Sequence, residues 1–216
     1  MKEIVTRGDA LPLMQKLAAD LEAGYESITK LDAEIGDGDL GVTCRLGLKA
    51  AMEVPSSLAN AGLGEVLLKA GLAFNSAGAS TFGAFVATAA MRAAKYMKDN
   101  NLEAWDLPSL IGALTAAAHG IEQRGKASRG EKTLLDALWP AIEALQAAQD
   151  ARKSLSQALA DAATAADAGA EATKPLRSKY GRAAWMQDRT VGVEDAGARV
   201  VATVVRSLAE FVRTAS

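Results

Sequence analysis

The chain has 216 residues, half of them hydrophobic and 5% aromatic, and its formal net charge is −2. Such a composition allows a sizeable core, and the small net charge gives no basic field for nucleic acid. The single cysteine, Cys44, excludes an internal disulfide framework, and the single histidine, His119, disfavours histidine-based metal sites and Ser-His-Asp triads. No apolar run of about 18 residues predicts a membrane span, and no signal peptide is recognisable, so we expect a cytoplasmic protein.

Alanine and leucine dominate the sequence, and no alternating strand pattern occurs, so we predict an all-α fold. Eight helices are expected in chain order. They cover residues 8–30, 40–51, 59–74, 81–98, 107–124, 131–149 and 152–173, and the last carries the apolar residues from Val200 to Phe211. Pro55 is expected to end the second helix region.

Most connections between these helices are short, which places sequential helices side by side and antiparallel. We therefore predict one domain over residues 1–216, built as an up-and-down helical barrel. One connection is long, residues 174–197, and it contains Tyr180 and Trp185. A loop of that length in a compact domain is typically functional.

An acidic, glycine-containing stretch, LDAEIGDGDLGVTCR, covers residues 31–45 between the first two predicted helices. Asp32, Asp37 and Asp39 are close enough in sequence for a turn to gather their carboxylates. Close carboxylates repel one another unless a cation lies among them, and Mg²⁺ prefers oxygen ligands. The alternative is a set of solvated turn residues, with Asp39 as an ordinary helix N-cap.

Three further junctions carry weaker signals. Gly78-Ala79-Ser80-Thr81 opens a helix and would suit a phosphate, although a plain Ser/Thr cap explains it as well. The loop at residues 124–132 is basic, although an ordinary solvated loop without a binding role explains it as well. Arg182 could hold phosphate oxygens, and Asp195 has the alternative role of an N-cap.

Helices that alternate in direction bring the first, third, fifth and seventh connections to the same end of the barrel. All four groups of candidate residues lie at these connections. The topology therefore predicts one composite site rather than four separate ones.

At these residues the sequence resembles the dihydroxyacetone kinase L subunit family. The matching blocks are IGDGDLG at 35–41, GAS at 78–80, RGKASRGEKT at 124–133, KYGRAAWMQDRTVG at 179–192 and EDAGA at 194–198, in the family's order. The resemblance covers nearly the whole chain. It implies an eight-helix barrel that binds ATP or ADP at one end through two Mg²⁺ ions.

The resemblance also implies roles for individual residues. Asp32, Asp37 and Asp39 would be the Mg²⁺ ligands, and together with Arg182 they would form the catalytic group. The nucleotide would be bound by Leu40, Gly41, Val42, Thr43, Ala79, Ser80, Gly125, Thr133, Leu134, Arg182, Asp195, Ala196 and Gly197. A separate K-type subunit would hold the ketone substrate.

Two departures from the family pattern lie near the expected phosphate site. Leu40 replaces the usual histidine, and TFGAF follows the GAS block where a Gly-Pro step is common. Three hypotheses stay open: an ATP-dependent ketose kinase subunit, a subunit with standing ADP recharged by a phosphoenolpyruvate-dependent phosphocarrier, and a non-catalytic nucleotide-binding regulator. A homodimer is a further possibility, and neither nucleic acid nor a membrane is expected as a partner.

Overall fold

The computed structural model describes residues 2–215 and consists of a ring of α-helices joined by connections. The helices are α1 (Ala10–Ala23), α2 (Tyr25–Ile35), α3 (Leu40–Ser57), α4 (Leu63–Ala77), α5 (Thr81–Asp99), α6 (Leu107–Gly125), α7 (Leu135–Asp150), α8 (Leu155–Glu171) and α9 (Ala196–Thr214). Each helix from α3 onward packs against the one before it, and α9 closes the ring against α1 and α2. The predicted all-α barrel is confirmed.

The first helical segment differs from the single helix predicted over residues 8–30. α1 ends at Gly24, whose N–H bonds to the Asp20 carbonyl at 3.1 Å, and α2 begins at the next residue. Glycine is a weak helix former, so the break falls there. The two helices form one side of the barrel, and residues 2–215 thus contain nine α-helices where eight were predicted. Because α2 continues to Ile35, Asp32 lies within a helix rather than after it.

The chain break predicted at Pro55 is wrong, because α3 continues through Pro55 to Ser57. A proline this close to the helix end removes only one backbone hydrogen bond. Arg7 stabilises the end of the helix, since its Nη2 donates to the carbonyls of Pro55 at 2.5 Å and Leu58 at 3.0 Å. These bonds satisfy carbonyls that have no partner within the helix.

Small residues allow close packing of α7, α8 and α9, which share the largest core cluster. Ala137, Ala141, Ala158 and Ala162 are fully buried there. A methyl group on Gly169 of α8 would collide with the Asp136 carbonyl of α7. The alanine-rich faces therefore serve helix packing. None of the helices that the structure describes has the length and apolar character needed to span a bilayer.

The connections divide between two ends of the barrel. The far end has three short ones, residues 58–62, 100–106 and 151–154. The other end, which we call the site end, has residues 36–39, 78–80, 126–134 and 172–195. The last of these, the strap, contains a 3₁₀ segment at Arg182–Thr190. All four candidate junctions thus lie at the site end.

Candidate functional site

Three carboxylates meet where α2 gives way to α3. Single oxygens of Asp32, Asp37 and Asp39 lie within 4.8 Å of one another, and we call these residues the carboxylate cluster. The turn between the helices is tight because Gly38 adopts a φ of +74°, which favours glycine. A methyl group on Gly38 would also lie 3.2 Å from Ala33 Cβ. The chain therefore folds back over the end of α2 and brings the last two aspartates to the first.

Asp32 performs the capping role that was predicted for Asp39. The Leu40 N–H donates to Asp32 Oδ2 at 3.0 Å. Asp39 occupies the N-cap position, but its backbone is helical (φ −94°, ψ −7°) and its side chain makes no capping hydrogen bond. An N-cap side chain usually reaches back from an extended backbone, so this geometry prevents it. The side chains of Asp37 and Asp39 are exposed.

Arg182 of the strap faces the carboxylate cluster. It forms an ion pair with Asp37, and its Nη1 lies 3.8 Å from Asp39 Oδ2. One guanidinium neutralises only part of the charge of three carboxylates, so the cluster retains an attraction for cations. Three monodentate carboxylate oxygens in one place form a donor set that suits Mg²⁺. The residues present therefore fit the metal that the resemblance implies.

The first turn of α3 packs against its neighbours through its backbone. A methyl group on Gly41 would collide with the Thr29 hydroxyl, and one on Gly78 would lie 2.7 Å from the Thr43 carbonyl oxygen. The second contact brings the α4–α5 connection beside α3. Ser80 caps α5, since its Oγ accepts from the Gly83 N–H at 3.0 Å, while Ala79 is exposed.

Side chains of the predicted phosphate-binding run differ in exposure. Leu40, Gly41 and Thr43 are buried, and Val42 is exposed. Leu40 belongs to a core cluster with Ile28, Cys44, Phe74 and Val200. The residue that departs from the family pattern is therefore a packing residue in this structure.

Cys44 lies one helical turn beyond Leu40, and its side chain is 2% exposed. Burial raises the pKa of its thiol to about 12, and the charge of Asp32 adds to the effect. The thiol is consequently protonated and unreactive in the folded protein.

The connection between α6 and α7 is organised by Asp136, which the sequence did not single out. Its buried carboxylate accepts from the N–H groups of Gly130 at 2.5 Å and Thr133 at 2.7 Å. Gly125 ends α6, further back along the chain. Leu134 is buried against the start of α9, where a methyl group on Gly197 would lie 3.5 Å from its Cβ.

Lys132 contradicts the interpretation of residues 124–132 as a solvated loop. Its side chain is buried, and its ammonium group donates to backbone carbonyls of the strap. A charged group is buried only where hydrogen bonds replace its water. The sequence signals around it, a glycine and several basic residues, are those of an ordinary surface loop.

Asp195 caps α9, as its alternative interpretation predicted. Its Oδ1 accepts from the Ala198 N–H at 2.7 Å, and Ala196 and Gly197 form the first turn of the helix. Burial raises the pKa of Asp195 to about 7, although the Ala198 bond and the Lys132 charge act in the opposite direction. The negative charges of Asp136 and Asp32 raise the pKa further.

Contacts between the junctions bring the predicted residues together. Arg182 joins the strap to the carboxylate cluster, and Gly78 joins the α4–α5 connection to α3. Leu134 and Gly197 join the start of α7 to α9, and Glu131 pairs with Lys179 of the strap at 3.1 Å. The structure thus gathers the four junctions at one end of the barrel. The nucleotide-binding role of each residue stays a prediction.

Comparisons with known proteins agree with this architecture. The ADP-binding subunit DhaL of the PEP-dependent dihydroxyacetone kinase of Escherichia coli (strain K12) is 30% identical over 184 residues, which are 85% of this chain and 87% of that subunit. The D-erythrulose kinase of Mycolicibacterium smegmatis is 35% identical over 205 residues, which are 94% of this chain but 34% of that enzyme. This chain therefore resembles a whole subunit in one relative and about a third of the other.

A solved structure has the same fold. The dihydroxyacetone kinase of C. freundii, in complex with AMP-PNP and Mg²⁺, aligns over 93% of this chain and 33% of that one, with a TM-score of 0.70 and 24% identity. The family model described as "DAK2 domain" matches residues 34–210, which include the carboxylates of Asp37 and Asp39, the strap and most of α9. This chain belongs to the DAK2 domain family.

Proposed function

We propose that this chain is the Mg-nucleotide-binding subunit of a short-ketose kinase, and that it presents the γ-phosphate of ATP to a ketone held by a separate K-type subunit. The observation that carries the proposal is the carboxylate cluster, assembled with Arg182 at one end of a DAK2-domain barrel. The named ADP-binding subunit from E. coli supports it, because this chain covers 87% of that protein. The AMP-PNP and Mg²⁺ of the C. freundii complex give the same indication.

Asp32, Asp37 and Asp39 would hold two Mg²⁺ ions between them. When bound, these ions would neutralise phosphate charge. Asp32 also accepts the Leu40 N–H, so it links metal binding to the start of α3. Asp39 is exposed, and Asp37 would exchange its ion pair with Arg182 for a bond to the ions.

The remaining residues position the nucleotide. Gly78, just before α5, contacts Thr43 in the first turn of α3, so the N-terminal ends of both helices lie near each other and their positive dipole ends would attract phosphates. Arg182 adds a fixed charge, which suits a reaction that depends on positioning and charge neutralisation. Thr133 and Leu134 would flank the base, and Arg182 together with Asp195, Ala196 and Gly197 would close the pocket.

The acceptor is expected on the partner. The single histidine bonds to Glu122 through Nδ1 at 3.0 Å and packs against Trp139, so it has a structural environment on the α6–α7 surface. A ketone hydroxyl must lose its proton during transfer, and a K-type subunit would supply the base together with the substrate.

Trp185 identifies the face that would meet this partner. Its side chain is 88% exposed, and it lies three residues after Arg182 on the strap. Exposed tryptophans are frequent binding hot spots, since one ring buries a large apolar area. Two cations of the strap near it in sequence are paired, since Arg177 lies 3.4 Å from Asp188 and Lys179 lies 3.1 Å from Glu131. The apolar ring is therefore the feature that would bind the K-type subunit.

A second candidate keeps ADP bound and has it rephosphorylated by a phosphocarrier protein. The observation that favours it is the name of the E. coli relative, which is PEP-dependent. The two candidates differ in nucleotide exchange. A subunit with standing ADP retains ADP through gel filtration and does not exchange it with ATP, whereas an ATP-dependent one exchanges its nucleotide in every cycle.

Calorimetric titration with Mg-ADP tests the proposal. The wild-type chain should bind the nucleotide, and Asp37→Asn should abolish detectable binding without loss of helix content by circular dichroism. Asp99→Asn is the matched control, because that aspartate pairs with Lys95 at the C-terminal end of α5, the far end of the barrel. Equal affinity of the wild-type chain and Asp37→Asn would refute the assignment of the cluster.

A further inference from the structure

Four backbone carbonyls of the strap converge on one buried ammonium group. The Lys132 Nζ lies 2.9 Å from the Thr173 oxygen, 3.1 Å from Leu176, 2.8 Å from Thr190 and 2.5 Å from Val193. We call these four carbonyls the carbonyl cage. An ammonium has three donors, so at least one N–H is shared between two oxygens. The side chain of Lys132 is 3% exposed, which excludes water as the main partner.

The carbonyl cage draws on both legs of the strap. Thr173 and Leu176 lie on the leg that leaves α8, and Thr190 and Val193 lie on the leg that returns to α9. The tip between them carries Arg182 and Trp185. One side chain from a different connection therefore fixes the base of the segment whose tip reaches the carboxylate cluster.

The backbone of Lys132 is held in a conformation that lysine rarely adopts. Its φ is +62°, and non-glycine residues enter this region only where the surroundings impose it. Asp136 imposes it here by bonding to the N–H groups of Gly130 and Thr133 on either side. The loop is thus shaped to direct this side chain inward.

We propose that Lys132 is a positioning residue for phosphoryl transfer, which joins the two legs of the strap so that Arg182 is held beside the carboxylate cluster. The inference rests on the proposed function for its catalytic meaning. The anchoring itself rests on the carbonyl cage alone. Removal of the ammonium leaves four carbonyls, two of them buried, with one partner fewer, and the strap tip loses its fixed base.

Lys132→Met keeps an unbranched side chain that is one atom shorter and removes the charge. We expect helix content to be retained and an arginine-specific protease to cut the strap at least about tenfold faster, because local opening of the segment becomes easier. Mg-ADP affinity should fall about tenfold, as expected for the loss of one fixed charge at the phosphates. Lys174→Met is the matched control, because its ammonium pairs with Glu171 at the end of α8, outside the carbonyl cage, and it should change neither rate nor affinity.

Chemical rescue separates anchoring from a general packing role. Lys132→Ala lacks a propylammonium group, and added propylammonium should restore protease resistance of the strap. Tetramethylammonium, which has no N–H, should not. If Lys132→Met loses its helices, the Lys132→Ala variant carries the test. In that case, anchoring by Lys132 is supported if propylammonium restores both the helix content and the protease resistance of the strap in Lys132→Ala.

The inference would be overturned by unchanged strap cleavage in a folded Lys132→Met. It would also be overturned if propylammonium failed to rescue Lys132→Ala, or if tetramethylammonium rescued it equally well. The protease and rescue measurements use no nucleotide. A wild-type chain that binds no Mg-ADP would therefore refute the proposed function and leave the anchoring testable.

Discussion

The carboxylate cluster at the site end and the helix caps at the far end hold their polar groups in opposite ways. At the far end, Asp106 accepts from the Ser109 N–H at 3.0 Å and Ser154 accepts from the Gln157 N–H at 3.2 Å, each within a reciprocal capping box. At the site end, Asp39 occupies a cap position without capping.

Local satisfaction at the far end contributes to stability, since each cap supplies hydrogen bonds to a helix terminus. Crowded like charges at the site end do not, because they repel one another in the absence of a ligand. The comparison teaches that aspartates can have separable roles: those that cap the far-end helices stabilise the fold, and those of the carboxylate cluster are proposed to bind the metal.

The substitution Asp39→Asn is expected to have the largest effect on the difference between the two ends. We expect Mg-nucleotide affinity to fall at least about 100-fold, or about 2.7 kcal/mol, because the neutral amide is a poor ligand for a hard cation. The unfolding midpoint without ligand should stay the same or rise as repulsion is relieved. Calorimetry and thermal denaturation measure the two quantities, and a clear fall in the midpoint with unchanged affinity would reverse the assignment of roles.

The next effect depends on pH and on Asp195. Its pKa is raised to about 7 in the folded protein from an ordinary value of 3.8, so between these values the folded state binds more protons than the unfolded state. Stability therefore falls as pH rises through this window. Asp195→Asn retains a capping side chain and lacks the titration.

Between pH 4 and pH 7, we expect the free energy of unfolding of Asp195→Asn to increase by about 2 kcal/mol relative to that of the wild type. This value is smaller than the full pKa shift would give, because solvent reaches the half-buried carboxyl. Urea denaturation at a series of pH values, with chelator present, checks it. A difference that is flat with pH would mean that the Asp195 carboxyl titrates normally.

Trp185→Ala tests the difference between the two ends in partner binding, because the K-type subunit is proposed to bind only at the site end. The K-type subunit concentration that gives half-maximal ketose phosphorylation should rise about tenfold, in the range of a hot-spot truncation. Mg-ADP affinity and stability should not change. Val191→Ala, which trims a second exposed apolar side chain of the strap, is a smaller change for comparison. An unaltered concentration dependence would place the partner elsewhere.

The smallest effect is expected at the far end. Asp106→Ala should lower the free energy of unfolding by about 1 kcal/mol, the usual loss for an N-cap. Nucleotide affinity should be unchanged, and calorimetry on the folded variant checks this. A weakened affinity would show that the two ends are coupled and that the separation of roles is incomplete.

The sequence predicted the barrel because its helices are long, its breaks carry turn residues, and alternation fixes which connections share an end. It also predicted the carboxylate cluster, since Asp32, Asp37 and Asp39 are neighbours in sequence. The break at Gly24 was missed because one glycine within an apolar helical pattern is compatible with continuity.

Long-range contacts were beyond prediction. Lys132 lies 41 residues from its nearest carbonyl partner in the chain, and nothing in its sequence neighbourhood distinguishes it from a solvated lysine. Asp32 could not be identified as the cap of α3, because its bond to Leu40 depends on how tightly Gly38 folds the turn. The burial of Leu40 likewise depends on long-range contacts, since its core cluster contains Phe74 of α4 and Val200 of α9.

The buried thiol of Cys44 offers a natural probe of the proposed site. As the only thiol in the chain, it can be modified only when the start of α3 opens, so the labelling rate by a thiol reagent measures the free energy of that opening. A ligand at the carboxylate cluster would hold Asp32, and through it the first turn of α3, in place. Occupancy of the proposed site would therefore be readable as protection of a single sulfur atom, with no engineered probe.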